Sequence, residues 1–254
     1  MNVFIRYLWI VLIFSFFSPA HAQETLTLCS ADSPPWTIQN SSSPTDIEGL
    51  AVDIMYELFD RAHTEVQMVA LPFKRCLANT QSGELDGCFM TIKNAERETY
   101  AEFTDSYLTI PTYAYYSLKK FDQFEWDSWE DLKPYRLGVQ RGFKYGRAFT
   151  DALKSMPFKI VEVSDVSEGV GMLFLDRIDL MLTNEFRYEY MIRQHPAYEG
   201  KLAHALKPIG IGQVYIAISK NSPHVSIVPK LNEIIANMKS DGSLQKIVHP
   251  TPRP

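Results

Sequence analysis

Between Thr25 and Met90, three β-type runs alternate with two stretches of helical period, an order that constrains the fold more than any single residue does. Thr25–Cys29 is the first strand-like run, stopped by Ser33-Pro34-Pro35-Trp36 and followed by a polar Ser/Pro loop over Asn40–Pro44. Across Gly49–Ala62, Leu50, Ile54, Leu58 and Ala62 repeat every four residues, flanked by Val52, Met55 and Phe59, which predicts an amphipathic helix. Glu65–Ala70 reads as a second strand. Pro72 suits a first helical turn, with Phe73 and Leu77 facing inward until Gly83, and Leu85–Met90 is a third strand. A β-α-β-α-β order in about 65 residues implies a parallel sheet with right-handed crossovers.

The pattern pauses and restarts. Tyr107–Leu118 is a long aromatic-rich extended stretch, and Asp127–Leu132 suggests a short helix. Tyr135–Gln140 then opens a second unit: a helix over Phe143–Leu153 that starts after Gly142, a strand over Lys159–Val163, a helix over Val166–Leu175 and a strand over Ile178–Leu182. Asn184–Arg193 reads as helix and Leu202–Leu206 as strand; Gly210-Ile211-Gly212 reads as a turn before a strand over Gln213–Ser219, and Ile227–Met238 as a closing helix. Two α/β units with a strand and helix left over predict two lobes, with the chain crossing between them more than once.

The first residues read as an export signal. Arg6 supplies the positive end, Tyr7–Phe17 an apolar run of eleven residues, and Ala20-His21-Ala22 a small-x-small site, so cleavage is expected after Ala22. Eleven residues are too few for a bilayer span, which needs about twenty. No later segment is apolar enough to span one, so an exported chain that is not membrane-embedded is expected. Formal charge is −5, from 25 basic and 30 acidic residues, and losing Arg6 makes it one unit more negative. No run of Lys and Arg exceeds two residues, so a stripe that would track a nucleic acid is missing and no nucleic-acid partner is expected.

Export permits disulfides among Cys29, Cys76 and Cys88. With no Cys-x-x-Cys and no His at ligand spacing, a structural metal is not expected, nor is a cofactor. The helix from Pro72 runs antiparallel to the strand after it. Cys76 lies about seven residues before Gly83, roughly 10 Å up at 1.5 Å per residue. Cys88 lies three residues past Leu85, also roughly 10 Å up at 3.3 Å per residue. A Cys76–Cys88 bond is therefore predicted, with two buried thiols as the bland reading and Cys29 on the neighbouring strand as a competing partner for Cys88.

No nucleophile elbow, zinc-protease helix, phosphate loop or calcium loop occurs, and nothing local demands catalysis. Three segments suggest small-molecule recognition. The loop Cys29–Trp36 leaves the carboxyl end of the first strand, the edge where open α/β sheets collect ligands; Trp36 there either stacks on a ligand or caps the core. Lys93-Asn-Ala-Glu-Arg97 leaves another strand end, and Arg97 is placed to fork onto a carboxylate. Gly138-Val-Gln-Arg-Gly142 leads to a helix start whose free N–H groups would receive an anion.

Taken in order, Pro-Pro-Trp36, Gly49-Leu-x-Val-Asp-Ile54, Leu85-Asp-Gly87, Glu96-Arg-Glu98 followed by Phe103-Thr-Asp105, and Gly138-Val-x-x-Gly142 resemble bacterial periplasmic solute-binding proteins of the polar amino-acid type, family 3, over Thr25 to Val248. The resemblance implies a two-lobed type II periplasmic-binding-protein α/β fold, each lobe a mostly parallel sheet flanked by helices, with two crossover strands. Residues 23–110 and 210–254 would form the first lobe and 111–209 the second, after a signal peptide at 1–22. It implies a monomer in the periplasm, not an enzyme, that captures a small carboxylate-bearing solute and delivers it to an inner-membrane ABC permease. Arg97 would hold the carboxylate beside Thr91, while Gln140, Arg141 and Phe143 would serve at the helix start of the second lobe. Asn184 stands where the family's amine-binding Asp is expected, with Glu185 beside it. Leu71-Pro-Phe-Lys-Arg-Cys-Leu77 is similar to a subgroup whose ligands are often unassigned and adds Phe73 and Arg75 to the candidate site. Two other roles stay open: a dehydratase of cyclic carboxylic acids on the same scaffold, with Glu185 or Asp32 as the acid/base group, and a ligand-sensing subunit for a membrane receptor.

Overall fold

The structure, a computed structural model, describes residues 25–143 and 145–249. The export signal at 1–22 and its cleavage site lie outside the described residues.

The first unit is strand β1 (Leu26–Ser30), a small antiparallel hairpin of β2 (Ile38–Gln39) and β3 (Ile47–Glu48), helix α1 (Leu50–Arg61), β4 (Val66–Ala70), α2 (Phe73–Ser82) and β5 (Gly87–Thr91). β1 pairs in parallel with β4 on one side and β5 on the other, the parallel sheet that the alternation implies. Burial of Ile54, Met55, Leu58 and Phe59 on α1 follows its period of four. The first N–H groups of α1 are satisfied from outside the helix: Leu50 and Ala51 donate to the carbonyls of Pro35 and Trp36, 3.0 and 2.9 Å. The Pro-Pro-Trp and Gly-Leu motifs therefore serve one structural purpose, closing the end of α1 with the loop after β1.

The chain continues through α3 (Ala95–Glu98), β6 (Ala101–Phe103) and the long strand β7 (Leu108–Ser117). A second unit follows: α4 (Trp129–Leu132), β8 (Arg136–Gln140), α5 (Arg147–Ser155), β9 (Lys159–Val163), α6 (Val166–Phe174), β10 (Leu180–Thr183) and α7 (Glu185–Gln194). After it come β11 (Leu202–His204), the long strand β12 (Gly210–Ser219), α8 (Val228–Ser240) and α9 (Ser243–Val248). Here β8 lies between β9 and β10, again parallel to both, so the second unit repeats the winding of the first.

β7 and β12 join the two sheets. Leu108–Thr112 pairs antiparallel with Gly210–Val214; beyond that shared stretch β7 runs on to pair with β10 and β11, and β12 to pair with β5 and β6. Apolar burial follows the same division, with a core around α1, α8 and β1 on one side, and cores around β8 and α5 and around α6 and β10 on the other. The fold is thus two α/β lobes on a pair of crossover strands. The leftover strand is β12, and it begins at Gly210 rather than Gln213, so Gly210-Ile-Gly212 is strand and not turn. Gly210 is needed there because a Cβ would stand 2.1 Å from the Tyr145 carbonyl oxygen.

Two expectations are corrected. α5 starts at Arg147, not at Phe143, because Gly142 and Gly146 both adopt positive φ (74° and 91°) and break the helical path. Between them the Tyr145 side chain is buried, and its hydroxyl oxygen accepts the Gln140 N–H at 2.6 Å. The disulfide joins Cys29 to Cys76, and Cys88 is a free, buried thiol. Since β1 lies between β4 and β5, the helix that links those two passes over β1. Cys76 meets Cys29 with their Cα atoms 5.7 Å apart. Cys88 is Cys29's lateral partner in the sheet, and burial pushes its thiol up to about 11.

Candidate functional site

The carboxyl edge of β5 is shaped by a bulge. Tyr215 pairs with Thr91 but Ala217 with Cys88, so β5 carries one extra residue there, and Met90 adopts a left-handed φ of 55°. The Met90 N–H is not lost, since it donates to the buried Tyr107 hydroxyl at 3.1 Å. Beyond the bulge, Thr91 and Ile92 turn toward Arg97. The Arg97 guanidinium donates from Nη1 to Thr91 Oγ1 (2.9 Å) and to the Ile92 carbonyl (2.8 Å), and lies 5.3 Å from the centre of the Phe73 ring. Asn94 caps the short helix α3 by accepting the Arg97 N–H at 2.9 Å, which fixes the backbone from which the side chain springs. Among the described residues, Arg97 makes no ion pair.

The facing wall is built from β8, the loop after it and the start of α7. Its central group is Arg187, which the sequence analysis did not single out. Nη1 donates to Gln140 Oε1 (3.0 Å), Nη2 reaches across to Ser33 Oγ of the first lobe (2.7 Å), and the guanidinium sits 4.9 Å from the centre of the Phe143 ring. Burial pushes its pKa down. One residue earlier, Phe186 packs against Trp36 at 4.7 Å, so the first turn of α7 touches the first lobe at two points.

Arg97, Phe73 and Thr91 therefore come together on one wall, and Gln140 and Phe143 on the other. Asn184 belongs to the second wall: it is buried, and its Oδ1 caps α7 by accepting the Arg187 N–H at 3.0 Å. Trp36 is 2% exposed and belongs to the first lobe's core, the capping reading of that residue. Arg75 is exposed on α2. Arg141 points outward, 72% exposed and paired with Glu162 at 3.2 Å. Glu185 faces His249 at 4.0 Å, and exposed Asp32 accepts the Gln39 N–H at 3.2 Å.

The motifs that carry the resemblance mostly hold the frame. Asp86 accepts the Thr27 N–H and the Ser222 hydroxyl, 2.8 and 2.5 Å. Thr104 ties itself to Ile216 of the return strand through both its N–H and its hydroxyl. Arg187 had no comparable signal, since an Arg in the first turn of a helix usually lies on a solvated face. No group of three or more potential metal ligands occurs among the described residues.

Two α/β lobes on paired crossover strands define a ligand-binding protein of the two-lobed type II class. The chain matches the family model of bacterial extracellular solute-binding proteins, family 3, over residues 26–250, and belongs to that family. Similar solved structures include the second substrate-binding domain of a putative amino acid ABC transporter from Streptococcus pneumoniae (23% identity, 89% of this chain and 98% of that one, TM-score 0.68). The second substrate-binding domain of Lactococcus lactis GlnP in its open conformation is also similar (22% identity, 90% and 95%, TM-score 0.69), as is the GluR0 ligand-binding core in complex with L-glutamate (15% identity, 90% and 98%, TM-score 0.68). No curated protein sequence matches the chain. Among the described residues, no helix is long and apolar enough to cross a membrane.

Proposed function

We propose that the chain is a periplasmic receptor that captures a small carboxylate-bearing solute, an amino acid or related organic acid, and hands it to an inner-membrane ABC permease. The observation that carries this reading is the Arg97 shelf. A guanidinium held on one nitrogen by Thr91 and Ile92, backed by an aromatic face and lacking an acidic partner among the described residues, keeps donors free for an incoming carboxylate. The two transporter domains and the L-glutamate complex among the similar structures support the ligand class and the permease partner.

In this reading residues 23–110 and 210–254 form one lobe and 111–209 the other, and the leader at 1–22 is removed after Ala22 on export of a monomer. Export also supplies the oxidising compartment that suits Cys29–Cys76. The mechanism is lobe closure about the paired halves of β7 and β12: a ligand that touches both walls stabilises the closed state by the contacts it gains only there. Binding without turnover is favoured because Asp32 and Glu185, the acid–base candidates, are engaged with Gln39 and His249.

Arg97→Ala tests the reading. Against a ligand found by thermal-shift screening of organic acids and amino acids, calorimetry should show affinity reduced by about 2–5 kcal/mol, the range for truncating one partner of a buried charge pair. Unchanged affinity would show that the carboxylate sits elsewhere.

A further inference from the structure

We propose that the ligand is a small dicarboxylate, with its second carboxylate taken by Arg187. The inference rests on the carboxylate-binding reading above and concerns the opposite wall of the same cleft.

Among the described residues, the hydrogen-bond partners of the Arg187 terminal nitrogens are neutral, Gln140 Oε1 and Ser33 Oγ. Its Nε is buried and has no partner among the described residues, and the same holds for the Thr183 hydroxyl, four residues earlier at the end of β10. Among the described residues Arg187, like Arg97, has no ion pair. Neutral partners satisfy donors but do not neutralise charge, and a guanidinium drawn out of water needs a counter-ion.

The two arginines share one sheet edge. β1 and β5 are neighbouring parallel strands; Ser33, which holds Arg187, lies in the loop after β1, and Thr91, which holds Arg97, ends β5, so both anchors stand at the carboxyl ends of adjacent strands. Beside Arg187 a cavity of about 310 Å³ opens between Pro34 of the first lobe and Gln140, Val166 and Met191 of the second. Asp165 also lines it, as a solvent-exposed carboxylate that caps α6 by accepting the Glu168 N–H and is not paired with Arg187.

Among the described residues, no acid at this edge is paired with either arginine. Asn184 supplies no charge, and its carbonyl oxygen is spent on the cap of α7; Glu185 turns to His249. A zwitterion would bring its ammonium against two like charges. A dicarboxylate brings one negative charge for each guanidinium.

The test uses the mature chain in calorimetric titrations with succinate, glutarate, L-aspartate and L-glutamate, each against its monoamide: succinamate, glutaramate, L-asparagine and L-glutamine. Inorganic phosphate forms a separate arm. At least one diacid should bind on the order of 10-fold or more tightly than its monoamide, the scale of a charged hydrogen-bonded contact. Arg187→Gln should bring that ratio to within about threefold, Arg187→Lys should keep part of it, and Arg97→Gln should weaken both members of the pair. Should Arg187→Gln fail to fold by circular dichroism, the wild-type ratio and Arg187→Lys decide. Equal binding of diacid and monoamide, a ratio that folded Arg187→Gln leaves intact, or binding of phosphate alone overturns the proposal. Arg97-dependent binding of monoacids that ignores Arg187 overturns the dicarboxylate and keeps the carboxylate grip; failure of every acid and amino acid to bind overturns both.

Discussion

The two lobes repeat one winding and secure it by different chemistry. In each, the first strand lies between the second and third, and an Asp just before or at the start of the third strand accepts the N–H from the start of the first: Asp86 from Thr27 at 2.8 Å, Asp179 from Arg136 at 2.7 Å. The crossing helix is then fixed in two ways. In the first lobe α2 is bonded covalently to β1 through Cys76–Cys29. In the second, α6 comes close through Gly169, where a Cβ would stand 2.4 Å from the Met181 sulfur on β10, and Asp179 gathers the Arg136 guanidinium and the Lys120 ammonium around itself. The difference teaches that the topology is set by strand order and shared backbone caps, while the clamp on it is interchangeable.

Breaking the covalent clamp should have the largest effect. Replacing both Cys29 and Cys76 by Ala opens a loop closed over a separation of 47 residues, worth about 4 kcal/mol in the chain-entropy model. Denaturant unfolding checks the size, and amide exchange should place the loss in β1, α2 and β5 while the second lobe keeps its protection. Equal loosening of both lobes would mean that they do not unfold as separate units.

The ionic clamp should be weaker and dependent on pH. Asp179 is only 9% exposed in its side chain, but Lys120 and Arg136 keep 31% and 38%, so Asp179→Asn should cost about 2 kcal/mol rather than the larger cost of a fully buried pair. Hydrogen bonds from Arg136, and then from Lys120, hold the Asp179 carboxyl well below the usual carboxylate range. Its contribution is therefore complete above the unfolded value near 4 and fades as pH falls toward the folded one. Unfolding midpoints measured from pH 7 down to about 3 should show that acid-side slope in the wild type and a shallower one in Asp179→Asn. The first-lobe disulfide should show no such slope.

The smallest effect concerns the edge that carries Phe143. Tyr145 is buried, burial pushes its hydroxyl up to about 12, and it accepts the Gln140 N–H. Tyr145→Phe leaves that N–H without its acceptor and should cost about 1 kcal/mol. Faster amide exchange at Gln140, with Arg97's wall unchanged, would confirm that the two walls are supported independently.

The walls also differ in how far they could be read in advance. Arg97 is held by Thr91, Ile92 and Asn94, all within six positions of it, so a local reading of a strand end takes in its whole setting. Arg187 is held by Gln140 and Ser33, which are 47 and 154 positions away, and no window of sequence contains that arrangement. The Cys76–Cys88 pairing failed for a related reason. Heights along helix and strand follow from rise per residue, but the lateral position of α2 depends on β1 lying between β4 and β5.

What the sequence determined by itself was everything set by period and local chemistry. The alternation of strand and helix, the burial face of α1 and the leftover strand that becomes β12 follow from the spacing of apolar side chains. The tertiary structure alone decided which distant groups meet: Cys76 over Cys29, Tyr145 beneath Gln140 and beside Gly210, and Arg187 across the cleft on Ser33. Periodicity says which face of an element turns inward. Only the order of strands and the crossing of helices says what that face finds there.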